Sequence, residues 1–307
     1  MSKKTAAVLI VLILVVTAVA IYFYYQPQID AVLPELTSEQ PAQTDHAEEL
    51  TTVPAEYEEY YAKNNDFVGW IKIDGTTVDY PVLQAEDDSY YLHRNFEKEY
   101  EGRGSIYMAS DCNAETLDTN TVIYGHNWLD TTMFSQLVKY SDFDFYKEHP
   151  VIEFNTRYEM HKWKIFAVFI TTATASEDNG YVFNFVYPHM GGVNYEGYMA
   201  ELQKRSLYDT GVDVNENDKF LTLSTCTREV DTDDYRADCR IVIVARMVRD
   251  GESASVDTSA ATENVNPKYP QIWYDKYGLV NPYKDDALWY PKENDPEQAS
   301  STANEAA

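Results

Sequence analysis

Three short, β-branched runs each carry one chemically reactive side chain at an end. Thr121–His126 ends in an imidazole, Phe220–Cys226 ends in a thiol, and Arg240–Arg246 begins with a guanidinium. Runs of this length and composition predict β-strands. If the strands are neighbours, a nucleophile, a base and a permanent cation meet at one edge of a sheet. That combination predicts covalent acyl transfer on an amide.

The region from Phe67 to Val248 contains further short strand-like runs between turn residues: Trp70–Ile73, Gly104–Tyr107, Val151–Phe154 and Trp163–Ile170. Many short strands with few helices favour a barrel or a sandwich over a parallel α/β sheet. Three segments predict helices instead. Pro54–Ala62 starts with proline and acids, as first turns do. Met133–Lys147 and Tyr195–Tyr208 carry apolar residues three and four positions apart.

The first 53 residues predict an anchor and a stalk. Thr5–Tyr25 is apolar and uncharged, and at about 1.5 Å per helical residue it is long enough to cross a bilayer core of roughly 30 Å. Residues 1–25 are therefore predicted to be a cytoplasmic N-terminus with a single-pass transmembrane helix, because Lys3 and Lys4 precede the apolar run. The catalytic domain is then predicted to be extracellular. Ala18–Ala20 leaves open a cleaved signal peptide. Residues 26–53, polar and proline-containing, predict an extracellular stalk.

The catalytic domain is expected at 54–250, followed by a tail at 251–307. Residues 251–265 have the composition of a linker, and the acidic remainder is rich in aromatics. Asn266–Tyr290 repeats an Asn-Pro to Trp-Tyr pattern weakly. It has too few aliphatic residues for a core of its own. Three alternatives stay open: it drapes over the domain, binds a flat apolar ligand such as a sugar, or is partly disordered.

Charge and cysteine content narrow the function. The formal net charge of −27 argues against nucleic-acid binding, since phosphate contacts require clusters of Lys and Arg. Histidine and cysteine show no paired spacing typical of a metal site. The acids Asp231, Asp233, Asp234 and Asp238 fit a solvated loop better than a calcium loop. If Cys226 is free, Cys112 and Cys239 remain, and whether they pair is left open.

Taken singly, each reactive residue also has a structural interpretation: Cys226 as a buried apolar side chain, His126 as a turn residue, Arg240 as an edge charge. The surrounding stretches are more specific. Asn65–Thr76 with Val78–Val82, then Tyr124–Asn127 running on to Leu137, then Thr222–Cys226 with Arg240–Arg246, resemble the sortases, and most closely their class B branch. These are membrane-anchored cysteine transpeptidases of Gram-positive bacteria.

The resemblance implies a mostly β fold, a closed eight-stranded barrel with a few peripheral helices. It implies Cys226 as nucleophile, His126 as general acid and base, and Arg240 as the arginine. Arg236, in the long loop before Arg240, is the alternative for that last role. The residue two before the cysteine lines the family's groove, so Ser224, with Thr225 and Asn127, is assigned to substrate binding. No metal or organic cofactor is implied.

The implied reaction cleaves a C-terminal sorting signal after threonine and joins the protein to a peptidoglycan amine. Signals of the Asn-Pro-x-Thr type are the first expectation for the partner proteins. Three alternatives stay open. The acceptor is a pilin lysine in a pilus-assembling enzyme, or it is water in a plain cysteine protease. The third is a non-enzymatic, anchored protein that binds the wall or a sugar.

Overall fold

The computed structural model of this chain describes residues 54–292. The predicted anchor at 5–25 and stalk at 26–53 lie outside these residues. No helix of the described part has both the length and the apolar content needed to cross a membrane. Its α-helices are α1 (Glu56–Lys63), α2 (Phe143–Glu148), α3 (Tyr195–Arg205) and α4 (Gln271–Tyr277).

The strands follow the β-branched runs of the sequence. They are β1 (Phe67–Lys72), β2 (Asp79–Leu83), β3 (Ile106–Met108), β4 (Asn120–Tyr124), β5 (Val151–Thr156), β6 (Lys162–Thr172), β7 (Tyr208–Asp209), β8 (Phe220–Cys226), β9 (Cys239–Met247) and β10 (Thr262–Glu263). Eight of them close into a barrel in the order β1-β2-β3-β4-β8-β9-β6-β5, and β5 pairs with β1. The pairs β2–β3 and β4–β8 are parallel. The predicted closed eight-stranded barrel is confirmed.

Strands β8 and β9 are covered on both faces, which explains their nearly unbroken apolar runs. Their odd-numbered residues belong to the main core: Leu221, Leu223, Ile241, Ile243 and Ala245. Phe220, Val242 and Val244 join a second cluster together with Tyr198 of α3. Because side chains alternate along a strand, Cys226 and Arg240 lie on the same outer face as this second cluster.

Two of the predicted helices differ from the observed ones. The segment predicted as one helix at 133–147 is a 3₁₀ helix, Ser135–Ser141, followed by α2. They are separated by Asp142, which is extended and accepts a hydrogen bond from the Asp144 amide, so it caps a new helix instead of continuing the first. Helix α3 starts at Tyr195 as predicted and ends at Arg205. The chain then enters β7, which pairs with β10.

The described part of the tail lies against the domain. Beyond the β7–β10 pair, α4 buries Tyr274 and places Trp273 in a cluster with Ile170 and Cys239 of the barrel. Further on, Trp289 packs on the cluster that includes α3. Of the three alternatives for the tail, residues 266–292 follow the first, because most of their aromatic rings are buried or half-buried, although Tyr277 is exposed.

Candidate active site

The candidate nucleophile and the candidate arginine are direct neighbours on adjacent strands. Cys226 ends β8, and its Cα partner across the antiparallel ladder is Arg240 on β9. Cys226 is exposed, whereas Ser224 and Thr225 before it are buried. The thiol therefore lies at the solvent-exposed end of β8.

His126 reaches the same place through the parallel pairing of β4 with β8. Tyr124, the last residue of β4, is the Cα partner of Ser224, and His126 follows two residues later and lines the same cavity as Cys226. Two hydrogen bonds extend the contact beyond the strands: the Thr225 hydroxyl donates to the Gly125 carbonyl at 2.7 Å, and the Asn127 amide donates to the Cys226 carbonyl at 2.9 Å. The three reactive side chains predicted from sequence thus lie at one end of the barrel.

The environment of His126 determines which ring nitrogen is basic. Its Nε2 is 2.9 Å from the carbonyl oxygen of Leu92. Because a carbonyl oxygen only accepts, Nε2 carries the proton and the neutral ring has its lone pair on Nδ1. The ring of His93 stacks on His126, with centroids 5.8 Å apart and planes at 16°. Among the hydrogen bonds of residues 54–292, none joins His126 to Cys226.

Arg240 and Arg236 have different surroundings. The Arg240 side chain is 23% exposed, and its Nη1 is 2.6 Å from Oδ1 of Asp238. The Arg236 side chain is 79% exposed and lies 3.9 Å from Asp231. Only Arg240 borders the cavity that contains Cys226. The geometry therefore favours Arg240 for the family's arginine.

A cavity of about 800 Å³ joins these groups. Its lining includes Cys226, His126, Arg240, Ser224 and Thr225, together with apolar side chains from the segment between β6 and α3. Asn127 is not among the lining residues. Its hydrogen bond to the Cys226 carbonyl makes it a residue that positions the nucleophile's backbone, and its role in substrate binding stays a prediction.

A match to the sortase domain covers residues 71–248. The chain belongs to the sortase family. It is 39% identical over 168 residues to sortase B of Listeria monocytogenes, which spans 55% of this chain and 65% of that protein. It is 34% identical over 198 residues to sortase B of Staphylococcus aureus, and this alignment spans 64% of this chain and 76% of that protein. The class B resemblance is confirmed.

The solved complex of Staphylococcus aureus sortase B with substrate has a TM-score of 0.57 to this chain. The sequences are 30% identical, and the superposition covers 74% of this chain and 100% of the other. The alignment with the Listeria protein covers less than two thirds of that relative's length.

One contact beside Arg240 in this sortase domain is not predicted by the sequence. Glu177 is buried, and its carboxyl oxygens accept hydrogen bonds from the Tyr235 hydroxyl at 2.6 Å and the Asp238 amide at 3.0 Å. Asp238 in turn pairs with Arg240. Glu177 therefore holds the end of the β8–β9 loop at the arginine. An isolated acid in a polar segment gives no periodic signal by which to find it.

The three thiols of this sortase differ sharply in environment. All are free, and only Cys226 is exposed. Burial raises the pKa of Cys112 to about 12 and that of Cys239 to about 12. Both buried thiols stay protonated near neutral pH and are shielded from reagents. The exposed thiol is the one available for chemistry.

Two acids of the β8–β9 loop, Asp231 and Asp238, contact groups in this loop and at the start of β9. Oδ1 of Asp231 accepts the Ala237 amide at 3.0 Å, and Asp238 pairs with Arg240. Across residues 54–292, no group of three or more His, Cys, Asp or Glu side chains is arranged to hold a metal ion.

Proposed function

We propose that this sortase is a membrane-anchored cysteine transpeptidase that cleaves a C-terminal sorting signal and transfers the protein to an amine of the cell wall. The observation that supports this best is the alignment of three strand ends. The one exposed thiol, Cys226, is opposite Arg240, and both residues line, together with His126, a cavity large enough for a peptide.

The first step forms a thioester. Nδ1 of His126 takes the proton of the Cys226 thiol, and the thiolate attacks the carbonyl carbon of the signal's threonine. Arg240 stabilises the oxyanion that develops, since its guanidinium stays charged throughout. The C–N bond then breaks, and the departing amine receives the proton from the His126 imidazolium.

The second step releases the product. An acceptor amine loses a proton to His126 and attacks the thioester carbonyl. The C–S bond breaks, an amide forms, and the thiol of Cys226 is regenerated. The acceptor we propose is an amine of the peptidoglycan precursor. A membrane helix at 5–25 and a stalk at 26–53 would hold the site outside the cell, close to that membrane-bound precursor.

The proposed donor substrates are surface proteins with Asn-Pro-x-Thr signals. The cavity is lined by apolar side chains and has one guanidinium at the cysteine, which suits an extended peptide whose reacting carbonyl becomes charged. That sortase B of Staphylococcus aureus is solved in complex with substrate supports the assignment of a substrate to this chain as well.

The acceptor is tested with the full-length chain in detergent and Asn-Pro-x-Thr pentapeptides. Three reactions run in parallel: a stem peptide with a free side-chain amine, a pilin-type peptide with an internal lysine, and water alone. We expect mainly the stem-peptide conjugate, with Cys112→Ala active and Cys226→Ala inactive. Preference for the pilin lysine would instead identify a pilus-assembling enzyme. Hydrolysis that persists in excess amine would identify a protease.

A further inference from the structure

The C-terminal segment, residues 266–292, returns to the active site from outside the matched domain, which ends at residue 248. Tyr290 lines the same cavity as Cys226 and Arg240. We propose that Tyr290 is a specificity-determining wall of the peptide groove, and that the C-terminal segment serves to hold it there. This inference rests on the proposed function, because it assigns a further residue to the same groove.

Trp289 fixes the position of Tyr290. Its indole ring packs against both Phe183 and Tyr198, with centroid distances of 5.8 and 5.9 Å, and its carbonyl accepts a hydrogen bond from the Tyr181 hydroxyl at 2.7 Å. The ring also lies directly on Gly197 of α3, where a Cβ atom would collide with the indole. A glycine at 197 is thus required for the indole to occupy this place.

Ionic and backbone contacts secure the segment on both sides of Trp289. Before it, Asp286 pairs with Lys204 of α3 at 2.8 Å. Lys268 lies 3.6 Å from both Asp286 and Glu201, which connects the start of the segment to the same helix. After it, the Lys292 amide donates to the Asn194 side chain at 2.7 Å. The chain is therefore attached to the domain both before Trp289, at Asp286, and after it, at Lys292.

The wall that results is apolar. The Tyr290 ring meets the Tyr181 ring edge-on, with centroids 5.6 Å apart and planes at 88°, which fixes its orientation. Val182 and Val186 line the same cavity. The charged side of the groove, at Arg240, suits the reacting carbonyl. The Tyr290 side suits an apolar or prolyl side chain of the sorting peptide.

The kinetic test uses the full-length chain in detergent and the Asn-Pro-x-Thr pentapeptide that labels Cys226 best. For Tyr290→Ala we expect KM to rise about 5- to 20-fold with kcat within about twofold, because a binding contact is lost and not a contact of the transition state alone. Tyr290→Phe keeps the ring and should retain the original KM. An unchanged KM in Tyr290→Ala, or a rise in kcat/KM as expected for a removed cover, overturns the proposal.

A second variant approaches the same wall from the barrel side. Gly197→Ala displaces the indole without altering any residue of the cavity, and we expect it to raise KM in the same direction as Tyr290→Ala. The matched control is Gly102→Ala, since a Cβ at Gly102 has no atom within 4 Å. Leu288→Ala, an exposed change beside Trp289, is the control within the segment. A normal KM in Gly197→Ala contradicts the role of the segment.

A readout without peptide separates this inference from the proposed function. Cys226 is alkylated in the folded, full-length chain with iodoacetamide, which is small, and with N-phenylmaleimide, which carries an aromatic ring. An apolar wall should favour the aromatic reagent. Tyr290→Ala should therefore lower the ratio of the N-phenylmaleimide rate to the iodoacetamide rate by about threefold or more. An unchanged ratio overturns the wall even if peptides react. A lowered ratio supports it even if no peptide forms an adduct, in which case the proposed function alone fails.

Discussion

Cys226 and Arg240 are Cα partners on β8 and β9, two adjacent strands of a closed barrel. Opposed Cα atoms in an antiparallel ladder are about 4.5–5.5 Å apart. The separation of thiol and guanidinium is therefore governed by the sheet, and the long loop that joins the two strands does not alter it.

This pairing predicts a large effect at one arginine and none at the other. Arg240→Ala should lower kcat about 10²- to 10³-fold, the usual cost of removing an oxyanion donor. Arg236→Ala, in the exposed part of the same loop, should retain wild-type kcat. Steady-state peptide cleavage measures both. Equal losses in the two variants would show that the loop's overall charge matters and not the guanidinium opposite Cys226.

Asn127→Ala tests whether the backbone of the nucleophile needs a fixed position. The variant removes the hydrogen bond to the Cys226 carbonyl. Such a bond stabilises by about 1 kcal/mol, which corresponds to roughly a fivefold fall in kcat, with KM nearly unchanged because the side chain does not line the cavity. The exposed Asn217→Ala is the control. A selective rise in KM would return Asn127 to the substrate-binding role predicted from the sequence.

Glu177→Gln tests the support beneath Arg240. The amide keeps the size of the carboxyl group but has one acceptor oxygen in place of two, so a buried donor loses its partner. We expect the free energy of unfolding to fall by about 1–3 kcal/mol. We also expect a lower kcat, because Asp238 no longer holds the arginine firmly. Asp233→Asn, an exposed change in the same loop, is the control. Denaturation measures the loss of stability, and a cleavage assay measures kcat. A loss of stability with unchanged kcat would show that Glu177 has a structural role only.

The strands and the three reactive side chains are predictable from sequence for a physical reason, whereas closure into a barrel and not a sandwich is implied by the family resemblance. Strands buried on both faces have continuous apolar runs, and a reactive residue at the end of such a run is conspicuous. Cys226, His126 and Arg240 all occupy that position. The parallel β4–β8 pairing that brings His126 to the same cavity as Cys226 is not visible locally, and its prediction rests on the family resemblance.

Two features of the structure are not predictable from the sequence pattern: one has a local cause, and the other depends on contacts between distant segments. The helix predicted across 133–147 breaks at Asp142, where a side chain competes with the helix for a backbone amide. The return of Tyr290 to the cavity depends on the fit of Trp289 against Gly197. The repeated Trp-Tyr pattern of the tail is a signal of burial, but it does not identify the surface that is buried.

The buried thiol of Cys112 predicts a loss of stability at high pH. Its pKa rises from an ordinary 9.0 to about 12 in the folded chain. Above pH 9 the unfolded chain releases this proton and the folded chain keeps it. The stabilisation present below pH 9 is therefore lost toward pH 12, by up to about 1.4 kcal/mol per pH unit.

Cys112→Ala removes that dependence. Urea denaturation should show that the variant is less stable than the wild type at pH 8. The difference between their free energies of unfolding, the stability gap, should narrow by about 1.5–2 kcal/mol by pH 10.5. Ala109→Gly, a truncation without a titrating group in the same cluster, should keep a constant gap. A constant gap for Cys112→Ala as well would show that this thiol titrates alike in both states.

The most direct test of the account is the intact mass of the full-length chain after incubation with a mixture of Asn-Pro-x-Thr pentapeptides. The account predicts one acyl adduct that hydroxylamine removes, that Cys112→Ala retains and that Cys226→Ala lacks. The mass of the adduct would also identify the preferred signal. If no peptide forms an adduct, and Cys226→Ala still displays surface proteins normally in cells, the thioester mechanism proposed for Cys226 is wrong.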